Sequence, residues 1–226
     1  MEYKRRRKPM QSKAWDWEKN QSDYWLIPCV ESPYLAERWQ GKGFLRFLDL
    51  GCGLGRHAVY MAKKGFEVTA ADLSEYGIEH TKKWAGEEQV PLTACVADML
   101  SLPFEDNTFD CAMAYNVIYH TDIPGFQAAL AEVRRVLKPG GELFLTLISK
   151  SSYGYKQADS SRRVDANTLL SEKSGTETGV PHLYVDLADI KRFFKAWHLE
   201  DSLRESCVYN PAEPQYYSHW SLIVRK

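Results

Sequence analysis

The sequence predicts an α/β fold built on a mostly parallel sheet with helices on both faces. Three observations carry that expectation. Between Phe44 and Ser149, short apolar runs alternate with helical patterns, the rhythm of successive β-α-β units. A glycine-rich turn, Gly51–Gly55, joins the first apolar run to a helical pattern. Acidic residues then recur at strand ends: Asp49, Asp72 and Asp98.

The elements follow in order. Phe44–Leu50 reads as a first strand, and Arg56 to Lys64 as a helix that Gly65 stops in the position of a C-terminal cap. Phe66–Ala71 is a second strand, and Ser74 caps a second helix running to Gly86. Leu92–Ala97 is a third strand. Phe109–Tyr115 is a fourth, apolar enough to be buried on both faces. Phe126, Ala129, Leu130, Val133, Val136 and Leu137 then recur at helical spacing. Pro139-Gly140-Gly141 is expected to end that helix and turn the chain into a fifth strand, Glu142–Ile148. Residues 149–180, rich in Ser and Thr, read as a lid-like insertion rather than a second domain. Asp186–Trp197 reads as a helix, with strand-like runs at Leu199–Val208 and Tyr217–Val224.

Residues 1–43 differ in character. They hold four of the seven tryptophans, Trp15, Trp17, Trp25 and Trp39, together with Tyr24 and Tyr34. This segment is expected to form a basic tail plus an aromatic helical cap over the mouth of the sheet. Residues 44–226 then form a single domain.

Composition bounds the remainder. A chain of 226 residues with 44% hydrophobic content suits one buried core. No apolar run approaches the ~20 residues of a membrane helix, and no apolar segment follows the basic start as in a signal peptide. Five scattered cysteines, none in C-x-x-C spacing, indicate reduced thiols rather than a disulfide framework or zinc site. A soluble cytoplasmic protein is expected. The net charge of −1 divides into a basic start, Lys4 to Lys8, and an acidic body. The basic run reads either as an arm for RNA or another anionic surface, or as a solvated tail; the acidic body favours the tail.

The glycine turn is the sharpest motif. In Asp49-Leu50-Gly51-Cys52-Gly53-Leu54-Gly55-Arg56-His57, a strand enters a tight turn and then a helix, so backbone N–H groups approach a ligand closely. Dinucleotide sites use G-x-G-x-x-G; here Arg56 occupies the third glycine position. Asp49 repels a pyrophosphate and attracts an ammonium, which favours a zwitterionic ligand bearing a cation. Asp72, after the second strand, suits a ribose diol as in Rossmann-like sheets. Asp98, after the third, suits an exocyclic amine of adenine.

Further phrases are Gly65-Phe66-Glu67-Val68, Asp72-Leu73-Ser74, Leu102-Pro103-Phe104, Asn107-Thr108-Phe109-Asp110 and Arg135-Val136-Leu137-Lys138-Pro139-Gly140-Gly141. With the glycine turn, they make the block from Phe47 to Ser149 resemble the class I S-adenosylmethionine-dependent methyltransferases, close to their small type-11 branch. The resemblance implies a Rossmann-like seven-stranded, mostly parallel sheet whose last strand is antiparallel. It implies S-adenosyl-L-methionine as cofactor and S-adenosyl-L-homocysteine as product. Asp49, Gly51 and Cys52 would hold the methionine end, and Gly53 and Gly55 would permit close approach. Asp72 would bind the ribose, with Leu73 against adenine. Asp98 and Met99 would meet the adenine amine and ring, and Asn116 and Val117 would line the sulfonium side.

Transfer from a sulfonium is an in-line displacement, so alignment and water exclusion matter most. A base is needed only where the acceptor loses a proton. His120 and His182 are the candidate catalytic residues, while His57 is expected to orient the turn. His80, His198 and His219 read as surface or packing residues. Trp17, Tyr24, Trp25, Tyr119 and Tyr184 are the candidate acceptor-binding residues. The fourth strand is followed by no Asp/Asn-Pro-Pro-Tyr phrase, and the chain has no Pro-Cys pair and no metal-ligand cluster. These absences point to a small-molecule O, N or S acceptor. An RNA or protein methyltransferase, or a non-catalytic cofactor-binding module, stands as the alternative.

Overall fold

The computed structural model describes residues 8–10, 12–20, 22–172, 177–200, 203–212 and 215–226. The Lys4–Arg7 part of the basic run lies outside them. The central sheet follows the order β3-β2-β1-β4-β5-β10-β8. Its strands are β1 (Arg46–Leu50), β2 (Glu67–Asp72), β3 (Leu92–Val96), β4 (Phe109–Ala114), β5 (Leu137–Ser149), β8 (His198–Leu199) and β10 (Gln215–Arg225). Strands β1 to β5 run parallel, while β10 is antiparallel to both β5 and β8. This is the mostly parallel sheet that the sequence predicted, with the antiparallel last strand that the family resemblance implied. Three short strands extend it: β6 (Thr168–Leu170), β7 (Pro181–Val185) and β9 (Arg204–Asn210).

Alternation along the strands gives the sheet two cores. Leu48, Ala112, Ala114, Leu143, Leu145, Leu222 and Val224 face one side. There they meet Phe126, Ala129, Leu130 and Val133 of α4 (Ile123–Val136) and Ile190 of α6 (Leu187–Phe193). Phe47, Cys111, Met113, Phe144 and Ile223 face the other side. They meet α1 (Ser32–Gly41), α2 (Arg56–Lys63) and α3 (Glu75–Glu87).

Several expectations change in detail. Helix α4 stops at Val136, and Leu137 is already extended, because Leu137 pairs with Phe109 and begins the 13-residue β5. Trp39 belongs to the core rather than to the aromatic segment over the mouth. It is fully buried on α1, 5.7 Å from the ring of Phe47 and 6.5 Å from that of Phe66. Its indole N–H and the Arg38 and Lys42 side chains all reach the buried carboxylate of Glu142. That cluster sits at the start of β5's run into the sheet, the end opposite the strand tips that carry the site.

The 149–180 segment is more regular than its composition suggested. It contains α5 (Tyr153–Lys156) and β6. Strand β6 pairs with β7, which in turn adds to the end of β5 through Ile148 and Ser149. His182 therefore lies on a strand, not in a loop before a helix. Helix α6 is shorter than expected, with Asp186 and Asp189 forming a capping box. The expected run Leu199–Val208 is divided between β8 and β9.

Candidate active site

The order of the sheet reverses between β1 and β4, the position where open α/β sheets bind ligands at their carboxyl ends. The glycine turn lies there. Gly51, Gly53 and Gly55 all adopt positive φ, at 69°, 55° and 95°, a region that favours glycine. The turn is tied to β2 because Gly51 N–H donates to Ala71 O at 2.7 Å. Gly53 N–H donates to Asp72 Oδ2 at 2.8 Å.

Each glycine serves a different neighbour. A Cβ on Gly51 would come 2.6 Å from Cβ of Val117, and one on Gly53 would come 2.6 Å from Cζ2 of Trp17. Gly55, expected beside the ligand, instead packs on Thr81 of α3, whose Oγ1 a Cβ would meet at 2.7 Å. It does not line the cavity.

A cavity of about 630 Å³ opens over this turn, within the size range of small-molecule sites. Gly51, Cys52, Gly53, Asp72 and Leu73 line one end, joined by Asp98, Met99, Asn116 and Val117. Asp72 is buried, accepts from Gly53 N–H and Ser74 N–H, and its carboxyl is raised by that burial. Asp98 Oδ1 accepts from Ser12 Oγ and Leu100 N–H. Asn116 takes positive φ, 57°. Its N–H donates to Thr146 Oγ1, which donates back to Asn116 Oδ1, fixing the chain after β4. The Cys52 thiol is pushed well up by burial, so it stays protonated and is no nucleophile.

Asp49 lies beneath the turn rather than on the cavity wall. Burial pushes its carboxyl up to about 7, against the opposing pull of Arg56. Its Oδ2 is buried with no hydrogen-bond partner. His57 does line the cavity; it accepts from Cys29 N–H, and burial lowers it to about 3. This neutral ring holds the segment before α1 through that bond.

Residues 12–20 and 22–27 cross the mouth, with Ser12, Lys13, Trp15, Trp17 and Trp25 lining the cavity. Trp15 stacks on His120 at 5.4 Å, and Trp17 meets Trp25 edge-on at 5.3 Å. Trp17 and Trp25 line the cavity; Tyr24 does not, because its ring turns outward over Arg56 and remains 55% exposed.

The other end of the cavity is aromatic and imidazole-rich. Tyr119, His120, His182, Tyr184, Tyr217 and His219 line it. The His120 and His182 rings lie 4.8 Å apart and nearly perpendicular. The ring of Tyr119 is 6.2 Å from those of both His182 and His219. His182 Nδ1 is 3.2 Å from Val180 O, and its Nε2 is 3.9 Å from Glu177 Oε2. Among the described residues, no group of three or more His, Cys, Asp or Glu is arranged to hold a metal ion.

Sequence reasoning missed His219, Tyr217, Glu177 and Arg56. The first two carried a usable signal: Gln215, Tyr217 and His219 alternate along one strand face, and all three line the cavity. His80 stays out of it, bonded through Nδ1 to Leu54 O, and His198 is exposed.

Comparison with known proteins agrees with this architecture. Residues 47–141 match the family model described as "Methyltransferase domain". The matched stretch runs from β1 to the start of β5 and holds the glycine turn. The chain is 35% identical over 111 residues to a sterol 24-C-methyltransferase of Gibberella zeae, covering 48% of this chain and 29% of that protein. It is 37% identical over 119 residues to a malonyl-[acyl-carrier protein] O-methyltransferase of Erwinia pyrifoliae, covering 52% and 43%. The chain thus spans less than half the length of these two relatives. The 1,6-didemethyltoxoflavin-N1-methyltransferase of Burkholderia thailandensis, solved with its acceptor and S-adenosylhomocysteine, shares the fold at a TM-score of 0.65. That likeness covers 93% of this chain and 83% of that one at 18% identity. No described helix is long and apolar enough to cross a membrane.

Proposed function

We propose that the protein transfers a methyl group from S-adenosylmethionine to an O, N or S atom of a small-molecule acceptor. The observation that carries this reading is one continuous cavity with two chemically different ends. One is lined by the glycine turn and two strand-end aspartates, the other by histidines and tyrosines.

The first end fits the cofactor. Gly51 and Gly53 line this end, and their lack of a Cβ lets Val117 and Trp17 pack directly against the turn. Asp72 offers carboxylate lone pairs to the ribose hydroxyls, and Asp98 Oδ2, which accepts no hydrogen bond among the described residues, suits the adenine amine. The orphaned Oδ2 of Asp49 suits the ammonium through an intervening water. When bound, the cofactor supplies an electrophilic methyl group on a sulfonium with a neutral leaving group.

The chain's own residues then align the acceptor, exclude water and hold a proton. Trp15, Trp17 and Trp25 cover the mouth, so the reacting atoms are shielded from solvent. Tyr119 and Tyr184 present ring surface to an acceptor, and burial keeps both phenols protonated. A backbone carbonyl only accepts, so the contact with Val180 O assigns the His182 proton to Nδ1. Nε2 is then the basic nitrogen and takes the proton that an O–H or N–H acceptor releases. His120, edge-on to His182, completes the wall.

The relatives' acceptors, as their names give them, are a sterol and a malonyl group on an acyl-carrier protein; in both the methylated moiety is a small organic group. A metabolite panel supplied with methyl-labelled donor tests the reading. Label should appear in a small molecule, with S-adenosylhomocysteine formed in equal amount. Cofactor binding with no product from any acceptor class would instead indicate a non-catalytic module.

A further inference from the structure

Arg56, the first residue of α2, lines the cavity beside the glycine turn and is only 7% exposed. Its guanidinium is surrounded by the rings of Tyr24, Trp25 and Tyr115, whose centroids lie 5.5, 5.3 and 5.2 Å from Cζ. Nη1 donates to the backbone carbonyls of Tyr24 and Ile27, each at 3.2 Å. Among the described residues, Nε and Nη2 have no hydrogen-bond acceptor, and the group forms no ion pair within 4.0 Å. Guanidinium does not lose its proton in proteins. A buried, permanently charged fork that uses one of its three nitrogens is therefore short of a counter-charge.

The other side-chain cations on the cavity wall are already engaged. Arg162 pairs with Glu172 at 3.1 Å, and Lys13 reaches Thr178 O at 3.4 Å. Arg56 alone of the three follows the glycine turn in the chain. Asp49, which feels the charge of Arg56, and Asp72 on the cavity wall suit the cofactor's ammonium and hydroxyls but repel its carboxylate. That carboxylate needs a cation at the turn, and a guanidinium with free donors supplies two parallel N–H bonds to it.

We propose that Arg56 binds the α-carboxylate of the cofactor's methionine end while Nη1 continues to hold residues 24–27. One guanidinium then couples occupation of the amino-acid subsite to closure of the aromatic segment over the mouth. The proposal rests on the cofactor reading above and adds the group that recognises the amino-acid end.

The test is calorimetric binding of two probes to the purified full chain. One probe is S-adenosylhomocysteine. The other is its decarboxylated analogue, which keeps the adenosine, the sulfur and the amine. Wild type should prefer the first by about tenfold or more, the worth of a charge-assisted pair. In Arg56→Gln that preference should fall to within about twofold, with binding of the decarboxylated probe nearly unchanged. Arg56→Lys, which keeps a point charge but not the fork, should retain part of the preference. A purely structural Arg56 would weaken both probes together or neither, leaving their ratio at the wild-type value, and that result overturns the proposal. Wild type binding neither probe would overturn the cofactor reading itself, an outcome recognisable before any variant is made.

Discussion

Trp17 occupies the space that a side chain on Gly53 would fill, its Cζ2 lying 2.6 Å from where that Cβ would stand. It also reaches Gly77 of α3, where a Cβ would meet Cδ1 of the indole at 3.2 Å. Two glycines on different elements thus form a slot for a tryptophan contributed by the N-terminal segment. The slot lies beside the glycine turn on the cavity wall.

Gly53→Ala should therefore displace Trp17 and strain a backbone held at φ 55°. The expected destabilisation is about 1–3 kcal/mol, combining overpacking with the cost of a left-handed alanine. In a Trp17→Ala background the steric part disappears, so the same glycine substitution should cost measurably less. Urea titrations of the four proteins give this coupling directly. Additive costs would show that the indole and the glycine do not constrain each other.

Glu142 anchors α1 away from the site. Its fully buried side chain accepts from Arg38, Trp39 and Lys42, which hold it below the usual carboxylate range against the opposing effect of burial. Glu142→Gln should leave Lys42 without its carboxylate partner and Arg38 with Glu200 alone, at a cost of about 2 kcal/mol of stability. Affinity for S-adenosylhomocysteine in the folded fraction should not change. A stable variant with weakened ligand binding would contradict that separation.

Asp49 gives a pH signature. Its folded carboxyl is raised to about 7 by burial from an ordinary value of 3.8, so the folded state retains a proton that the unfolded chain releases. Its contribution to stability is complete below the unfolded value and is lost as pH rises through the folded one. Asp49→Asn does not titrate. The stability of wild type relative to this variant should decline from about pH 4 to about pH 7 and then level off. His57, neutral in the fold, is common to both proteins and cancels in the difference. A flat difference would mean that Asp49 is ionised in the folded protein.

His182→Gln should separate chemistry from binding. With an O–H or N–H acceptor, kcat should fall by about 10²–10⁴-fold, the usual contribution of a positioned base. Affinity for S-adenosylhomocysteine should remain at the wild-type value, since His182 lines the opposite end of the cavity. Rate loss matched by loss of cofactor affinity would argue for a structural role.

The cofactor half of the site was legible in the sequence because its geometry is local. Asp49, the glycine turn and α2 are consecutive, and Asp72 and Asp98 each mark the end of a recognisable strand. Gly55 is an exception with a non-local cause: it turns to Thr81 on a helix 26 positions away, which no spacing within the motif reveals. The acceptor half depended on long-range pairing. His219 reaches the cavity because β10 lies antiparallel to β5, with His219 opposite Ile148. His182 reaches it because β7, too short to stand out by period, adds to the same strand. Trp39 did carry a local signal. Leu35, Ala36 and Trp39 share one face of α1 at helical spacing and are all buried, a pattern that separates this tryptophan from those over the mouth.

The most direct measurement is equilibrium binding of S-adenosylhomocysteine to wild type and to Asp72→Ala. Wild type should bind one equivalent, and the variant, deprived of the carboxylate proposed to bind the ribose, should bind at least about tenfold more weakly while remaining folded. Equal affinity in the two proteins would contradict the placement of the nucleoside, and an absence of binding in wild type would contradict the methyltransferase account as a whole.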